Sequence, residues 1–384
     1  MKQLIQKALH PITHPIKELS ESGKLGGLLL IAATILSISI TNSSLGKNYI
    51  NFWHQHLAVF SFSLSIEQWV NDLLMAVFFF LVGLEIKREL IIGELSSFRK
   101  VLLPLLAAIG GMLFPALIFI AFNAGTENIH GWAIPTATDI AFSLGVLSLL
   151  GNRVPLSLKI FLTALAIIDD LGGIIIIALF YSNDIQLIYL AIAAGIVVIL
   201  WLLNQFKIQK FIFYFIPMIA LWYCIFLSGV HATIAGVLSA LFIPTKQLEQ
   251  YEHLLHRPVN YIILPIFALA NTTILLSGDS IQHLLSPLSI GIIAALFVGK
   301  TLGISTFVFI SVKTKLCSLQ KNTTMRQIVG LAMLAGIGFT MSLFFTALSF
   351  THPESANIAR LAIIIGSSLS AVLGLLFLSF SLKK

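Results

Sequence analysis

Charge is scarce in this chain, and the scarcity decides its class. Asp, Glu, Lys and Arg make up only 10% of the residues, against about a quarter in a soluble domain. Hydrophobic residues reach 58% and the mean hydropathy is +0.97. A soluble globular protein is excluded, and a polytopic membrane protein is expected. Cysteine is nearly absent too. Cys224 lies in an apolar run and Cys317 in a basic loop, so no disulfide framework is expected. A P-loop is missing, which speaks against ATP-driven pumping. Sequence spacing gives no metal-ligand cluster and implies no cofactor. The net charge of +7 does not require a nucleic-acid partner, because basic residues in a membrane protein set topology.

Residues 1–24 carry interspersed lysines and no continuous apolar stretch, so no cleaved leader is expected there. Leu4, Ile5, Ala8, Leu9 and Ile12 recur at helical spacing, interrupted by Pro11 and Pro15. The segment reads as a cytoplasmic helix on the membrane surface, touching lipid. Residues 25–384 read as a single transmembrane domain.

A spanning helix needs about 20 mostly apolar residues. Twelve candidates fit, at 25–41, 70–87, 101–122, 132–150, 157–180, 185–204, 210–226, 230–244, 258–276, 287–312, 326–350 and 357–380. Charge tests this map. With the N-terminus cytoplasmic, 20 of the 23 Lys and Arg fall on the cytoplasmic side. Lys47 and Arg360 fall outside, and Lys300 lies within a span. This bias supports twelve spans with both termini in the cytoplasm. The longest external connection is 42–69. Within it FSFSLSI, residues 60–66, alternates with period two, a half-buried strand signal. Gly46, Lys47 and Asn48 read as the turn of a small β-hairpin, whose edge offers a pairing surface to a second copy.

Charge inside a bilayer costs roughly 2.5–3.5 kcal/mol per residue. Asp139, Asp169, Asp170 and Lys300 accept that cost at mid-span. Three acids and one base at one depth predict a single midplane site, since helix-to-helix glue needs only one acid. Two spans are also interrupted. AIPTATDIAFSLG contains Pro135, Thr136, Thr138 and Asp139, and LAGIGFTMSLFF contains Gly336, Gly338, Thr340 and Ser342. They are the second members of the trios 3–4–5 and 10–11–12, which start on opposite sides of the membrane. Paired interrupted helices in inverted halves point to a transporter site. Opposed half-helix ends concentrate partial charge, so Asp139 suits a pair of N-termini and Lys300 a pair of C-termini.

The stretches FFFLVGLEIKREL, PTATDIAFSLGVL, LAIIDDLGG, SGVHATIAGV, EHLLH, GKTLGI and GIGFTMSLFF run from residue 78 to 345. In this order they resemble the NhaA-type family of bacterial sodium/proton antiporters. The resemblance implies an all-α inner-membrane protein with about 12 transmembrane helices, inverted repeats, two interrupted helices crossing at the midplane and an external β-hairpin. It implies pH-regulated export of Na⁺ or Li⁺ against H⁺, electrogenic when more protons than cations move, and a homodimer joined through 42–69. By position, Asp169 and Asp170 match the adjacent aspartates that bind the cation and exchange protons. Thr138 and Asp139 match the pair near the cation, and Lys300 the lysine that holds Asp169 when no ion is bound. Asp169, Asp170 and Thr138 are then the oxygen ligands that a hard cation prefers. Thr301 departs from the family pattern, which has proline after the lysine.

A second group reads as a pH-sensing gate, a role the resemblance supports. Glu85, Arg88 and Glu89 end the second span, and Glu252, His253 and His256 precede the ninth. Histidine titrates near physiological pH. His231 and Gly338 are further candidates for gating. Two rival functions fit the residues less well. An intramembrane aspartyl protease has no GxGD motif here and leaves Asp170 surplus. A sodium-coupled symporter needs a solute pocket that no aromatic and polar cluster suggests.

Overall fold

The computed structural model describes residues 25–59, 62–93, 96–182, 184–276, 283–320 and 323–382. The expected surface helix at 1–24 lies outside them. The described residues are predominantly helical, with many apolar helices and one two-stranded sheet, as in an all-α membrane protein. Among the described residues six helices are long and apolar enough to cross a membrane: Ile66–Ile91, Lys100–Asn123, Leu156–Phe180, Leu187–Gln205, Pro287–Lys313 and Pro353–Ser381. Two bent pairs, Leu25–Thr41 with Gly46–His54 (114°) and Met325–Ala335 with Phe339–Ser349 (45°), and the shorter Ile212–Leu227 add to these. The other expected spans fall on short or interrupted helices. Expected span 132–150 is a 3₁₀ segment, Glu127–Thr136, then the helix Ile140–Ser148. Expected span 230–244 is the helix Ile234–Phe242. Expected span 258–276 is a π turn, Val259–Ile263, and the helix Leu264–Asn271.

The chain divides into two compact units. The first comprises Met1–Ala32, Gly93–Asp170 and Ile274–Lys384. It contains α4 (Phe98–Asn123), α5 (Ile140–Ser148), the first part of α6 (Leu156–Phe180), α12 (Pro287–Lys313), α13 (Met325–Ala335), α14 (Phe339–Ser349) and α15 (Pro353–Ser381). Small residues let these helices approach. A Cβ on Gly303 of α12 would run into the Gly110 carbonyl of α4, and one on Gly374 would lie 2.8 Å from Leu334 Cδ2. Without a hydrophobic drive between helices in lipid, such close packing supplies the attraction.

The second unit comprises Ala33–Ile92 and Leu171–Thr273. It holds most of α1 (Leu25–Thr41), then α2 (Gly46–His54) and α3 (Ile66–Ile91). After the rest of α6 come α7 (Leu187–Gln205), α8 (Ile212–Leu227), α9 (Ile234–Phe242), α10 (Leu248–Pro258) and α11 (Leu264–Asn271). Its core gathers Phe80, Leu84, Leu200, Tyr214, Leu221 and Ile225. Gly83 of α3 packs where a Cβ would lie 2.7 Å from Ala240 Cβ of α9.

The strand signal at 60–66 falls on β2 (Phe62–Ser65), which pairs antiparallel with β1 (His56–Val59), Leu57 opposite Leu64. The turn expected at Gly46–Asn48 is not one. Those residues open α2, and a Cβ on Gly46 would collide with the Thr41 carbonyl. Gly46 therefore serves the sharp reversal between α1 and α2. Thr301 does not break α12. A π turn at Ala295–Gly299 precedes Lys300, and Thr301 Oγ1 donates to Phe297 O at 2.5 Å.

Candidate functional site

The site lies in the first unit and begins with backbone that cannot stay helical. Pro135 has no N–H to give, and Ala137–Asp139 leave the helix in extended conformation. Opposite them, α13 ends at Ala335 and α14 begins at Phe339. Both breaks expose backbone groups that lipid cannot satisfy, and each break satisfies the other. Asp139 N–H donates to Ile337 O at 2.7 Å. Ser143 Oγ donates to Leu334 O at 3.1 Å. In return Ser342 Oγ donates to Ile134 O at 2.7 Å. Gly338 stands at the start of α14 with an ordinary negative φ. Space explains it: a Cβ there would lie 2.9 Å from Leu296 Cδ2.

Asp139 sits between two helix N-termini, as its sign predicts. Its Oδ1 caps α5 by accepting from Phe142 N at 2.9 Å. Its Oδ2 accepts from Thr340 N at 3.2 Å and Thr340 Oγ1 at 2.5 Å, in the first turn of α14. Thr340 is a site residue that sequence reasoning missed. A hydroxyl two places past the helix-breaking glycine was the signal available. Thr340→Val should lower the thermal unfolding temperature of the purified protein. The lost bond to a charged group is worth about 1.5–3 kcal/mol. Thr340→Ser, which keeps the hydroxyl, should restore most of it.

The remaining predicted residues meet around one oxygen. Lys300 Nζ approaches Asp169 Oδ2 at 2.5 Å and donates to Thr138 Oγ1 at 2.9 Å. Thr138 Oγ1 lies 2.8 Å from Asp169 Oδ2 and 2.9 Å from Ala335 O. A hydroxyl has one proton, so Thr138 shares it between the carboxylate and the last carbonyl of α13. Lys300 thus bonds directly to Asp169 and reaches the last carbonyl of α13 through Thr138. Thr138 and Lys300 are fully buried, and Asp169 is 2% exposed. Asp169 Oδ1, also buried, takes no hydrogen bond among the described residues. Asp170 is equally buried, and its side chain leaves α6 about 100° around the helix from Asp169.

The second unit carries the other predicted group. Arg88 Nε donates to Glu252 Oε2 at 2.9 Å and Oε1 at 3.1 Å, and Arg88 Nη1 meets Glu89 Oε1 at 2.6 Å. His256 Nε2 lies 3.2 Å from Glu85 Oε1. Burial pushes the Glu252 carboxyl up to about 7, with Arg88 opposing the shift. Glu252 and His256 share the buried face of α10, one turn apart, whereas His253 lies on its exposed face. Lys87 is diverted: its ammonium donates to Leu241 O and Ile243 O at the end of α9.

The family model described as "Na+/H+ antiporter 1" matches residues 17–378. The chain belongs to this antiporter family. It is 48% identical over 379 residues to a protein of Cytophaga hutchinsonii named Na(+)/H(+) antiporter NhaA, covering 97% of each chain. It is 50% identical over 369 residues to a protein of the same name from Dechloromonas aromatica, covering 94% of each. In this family member His231 Nε2 lies 3.5 Å from Asp72 Oδ1, and its Nδ1 lies 3.0 Å from Thr233 Oγ1. Sequence reasoning missed Asp72, although an acid just inside an apolar span was visible. It falls in the π turn Val70–Leu74, a distortion that often marks functional positions.

Proposed function

We propose that the chain is a secondary transporter that exports Na⁺ or Li⁺ in exchange for H⁺. One observation carries this reading: a fully buried lysine holds one of two adjacent buried carboxylates beside two mutually bonded helix breaks. Asp170, Asp169 and the Thr138 hydroxyl supply hard oxygen ligands for a small cation. When no cation is bound, Lys300 occupies Asp169 Oδ2. An arriving cation takes the carboxylate oxygens and displaces the ammonium, and protons compete for the same oxygens. Exchange follows because cation and protons cannot hold these oxygens together. With more protons than cations carried per cycle, transport is electrogenic.

The mutual bonding of the breaks at 137–139 and 336–338 supports a crossing of two interrupted spans in an inverted repeat. The Lys and Arg distribution supports twelve spans with both termini cytoplasmic, and the family resemblance supports an inner-membrane location. On this reading 25–384 form the transport domain. The cluster of Glu85, Arg88, Glu89, Glu252 and His256 then lies at the cytoplasmic mouth and regulates exchange with pH. The paired strands within 42–69 face outward, where they join two copies into a dimer.

Everted or reconstituted vesicles test the central reading. Sodium or lithium should dissipate an imposed pH gradient, and potassium should not, being too large for a tight carboxylate site. A gradient untouched by sodium and lithium would rule the proposal out.

A further inference from the structure

Thr163 lies on α6, seven residues before Asp170. Seven residues fall about 20° short of two full turns. The two side chains therefore leave the same face of the helix, about 10 Å apart along its axis. Thr163 is 6% exposed, and its buried Oγ1 makes no hydrogen bond among the described residues. We propose that this hydroxyl is a positioning group for transport, a relay that holds hydrated Na⁺ or Li⁺ on its way between the Leu156 end of α6 and Asp170. The inference rests on the reading of Asp170 as a cation carboxylate.

The first support is a bond not made. A threonine inside a helix has an acceptor at hand, the carbonyl four residues back. Thr301, Ser311 and Thr346, on other helices of the same unit, take it, donating to Phe297 O, Phe307 O and Ser342 O at 2.5, 2.6 and 2.9 Å. Thr163 gives no such bond to Lys159 O. A buried hydroxyl left without a partner costs free energy, and such groups are rare unless water or an ion completes them. One proton and two lone pairs can hold a water, and the oxygen can replace one in the shell of a hard cation.

The second support is the helix that carries it. Ser289 and Ser370 are also buried hydroxyls without a hydrogen bond, but α12 and α15 carry no site carboxylate. The third is the rest of the face. Lys159, one turn nearer Leu156, is half-buried. An ammonium there marks that end of α6 as the one near the membrane–water boundary. From Lys159 to Asp170 the face spans about 16 Å, and Thr163 is its one hydroxyl. Ala166 and Ile167 fill the stretch between Thr163 and Asp170 and offer no side-chain oxygen. A neutral oxygen suits such a position, because a relay must bind well enough to admit an ion and weakly enough to release it. A third carboxylate would trap the ion short of Asp170.

Cysteine chemistry tests access without using transport. In a chain carrying Cys224→Ala and Cys317→Ser, Thr163→Cys is treated with the small cationic reagent 2-aminoethyl methanethiosulfonate. It should be labelled in everted vesicles, where the Leu156 end faces the reagent. Leu165→Cys, about 200° round the helix and 1% exposed at the native residue, should not. Kinetics test the hydroxyl itself. Thr163→Val keeps the shape and removes the oxygen. It should raise the sodium concentration for half-maximal exchange about threefold to tenfold, the worth of one hydrogen bond, with the maximal rate little changed. Thr163→Ser should restore the wild-type value. The proposal is overturned if Thr163→Cys resists labelling in everted vesicles or reacts no faster than Leu165→Cys. It is equally overturned if Thr163→Val keeps the wild-type half-saturation, including the case where stability and maximal rate fall, which would mark a packing hydroxyl. Normal exchange by Asp170→Asn would sink the reading of Asp170 instead, and the labelling result is independent of it.

Discussion

Asp170→Asn should abolish exchange while leaving a folded protein. Asparagine keeps the shape of the side chain and can still offer an oxygen, but it cannot become an anion. A cation in a buried site needs that negative charge, since the Asp169 carboxylate is shared with Lys300 and repays only part of the lost hydration. Removing one charged partner from a buried ionic contact costs about 3–5 kcal/mol. Applied to cation binding, this lowers apparent affinity by about a hundredfold or more, at 1.4 kcal/mol per factor of ten. Two measurements separate the chemistry from the fold. Sodium-driven dissipation of the pH gradient in vesicles should vanish. The size-exclusion profile should match the wild type, while thermal stabilisation by added sodium is lost. Asp170→Glu retains the charge at a shifted position and should transport slowly. An asparagine variant that exchanges at the wild-type rate would remove Asp170 from the site.

Lys300→Met should be the most destabilising single change in the first unit. It leaves Asp169 Oδ2 facing Thr138 alone, in a place where lysine, threonine and carboxylate are all buried. Uncompensated buried charge costs about 3–5 kcal/mol. The informative experiment adds Asp169→Asn to the same chain. Replacing both partners of a buried ion pair is often close to neutral, so the double variant should unfold well above Lys300→Met. A coupling energy between the two changes of more than about 1 kcal/mol would identify the pair as a thermodynamic unit. Simple additivity would show that Lys300 and Asp169 do not depend on each other.

Much of the central site was legible in the chain because lipid makes polar residues conspicuous. Asp139, Asp169, Asp170 and Lys300 stand out against apolar neighbours, and Pro135 and Gly338 mark the two breaks. Strand β2 was legible from its alternation, but its partner HLAV carries no comparable period. The pairing of Glu85 with His256 was not legible, because the two residues are far apart in sequence and either alone reads as an interfacial charge. The spacing of Glu252 and His256 was visible, as was the 100° step that turns His253 to the other face. Element type was hardest where backbone departs from the α-helix. The 3₁₀ segment Glu127–Thr136 and the π turns at Val70–Leu74, Val259–Ile263 and Ala295–Gly299 have no simple residue signature. They arise where tertiary contacts reassign backbone hydrogen bonds.

The reciprocal bonding of the two breaks also has a meaning for biosynthesis. Thr138 leaves the ribosome 197 residues before Ala335, and Ile134 precedes Ser342 by 208. At about 5–20 residues per second, the first break waits roughly 10–40 s for its partner. During that interval its backbone has no complement, so it must rest against water, a chaperone or the translocation machinery rather than bare lipid. The last quarter of the chain therefore completes the insertion of a segment made long before it.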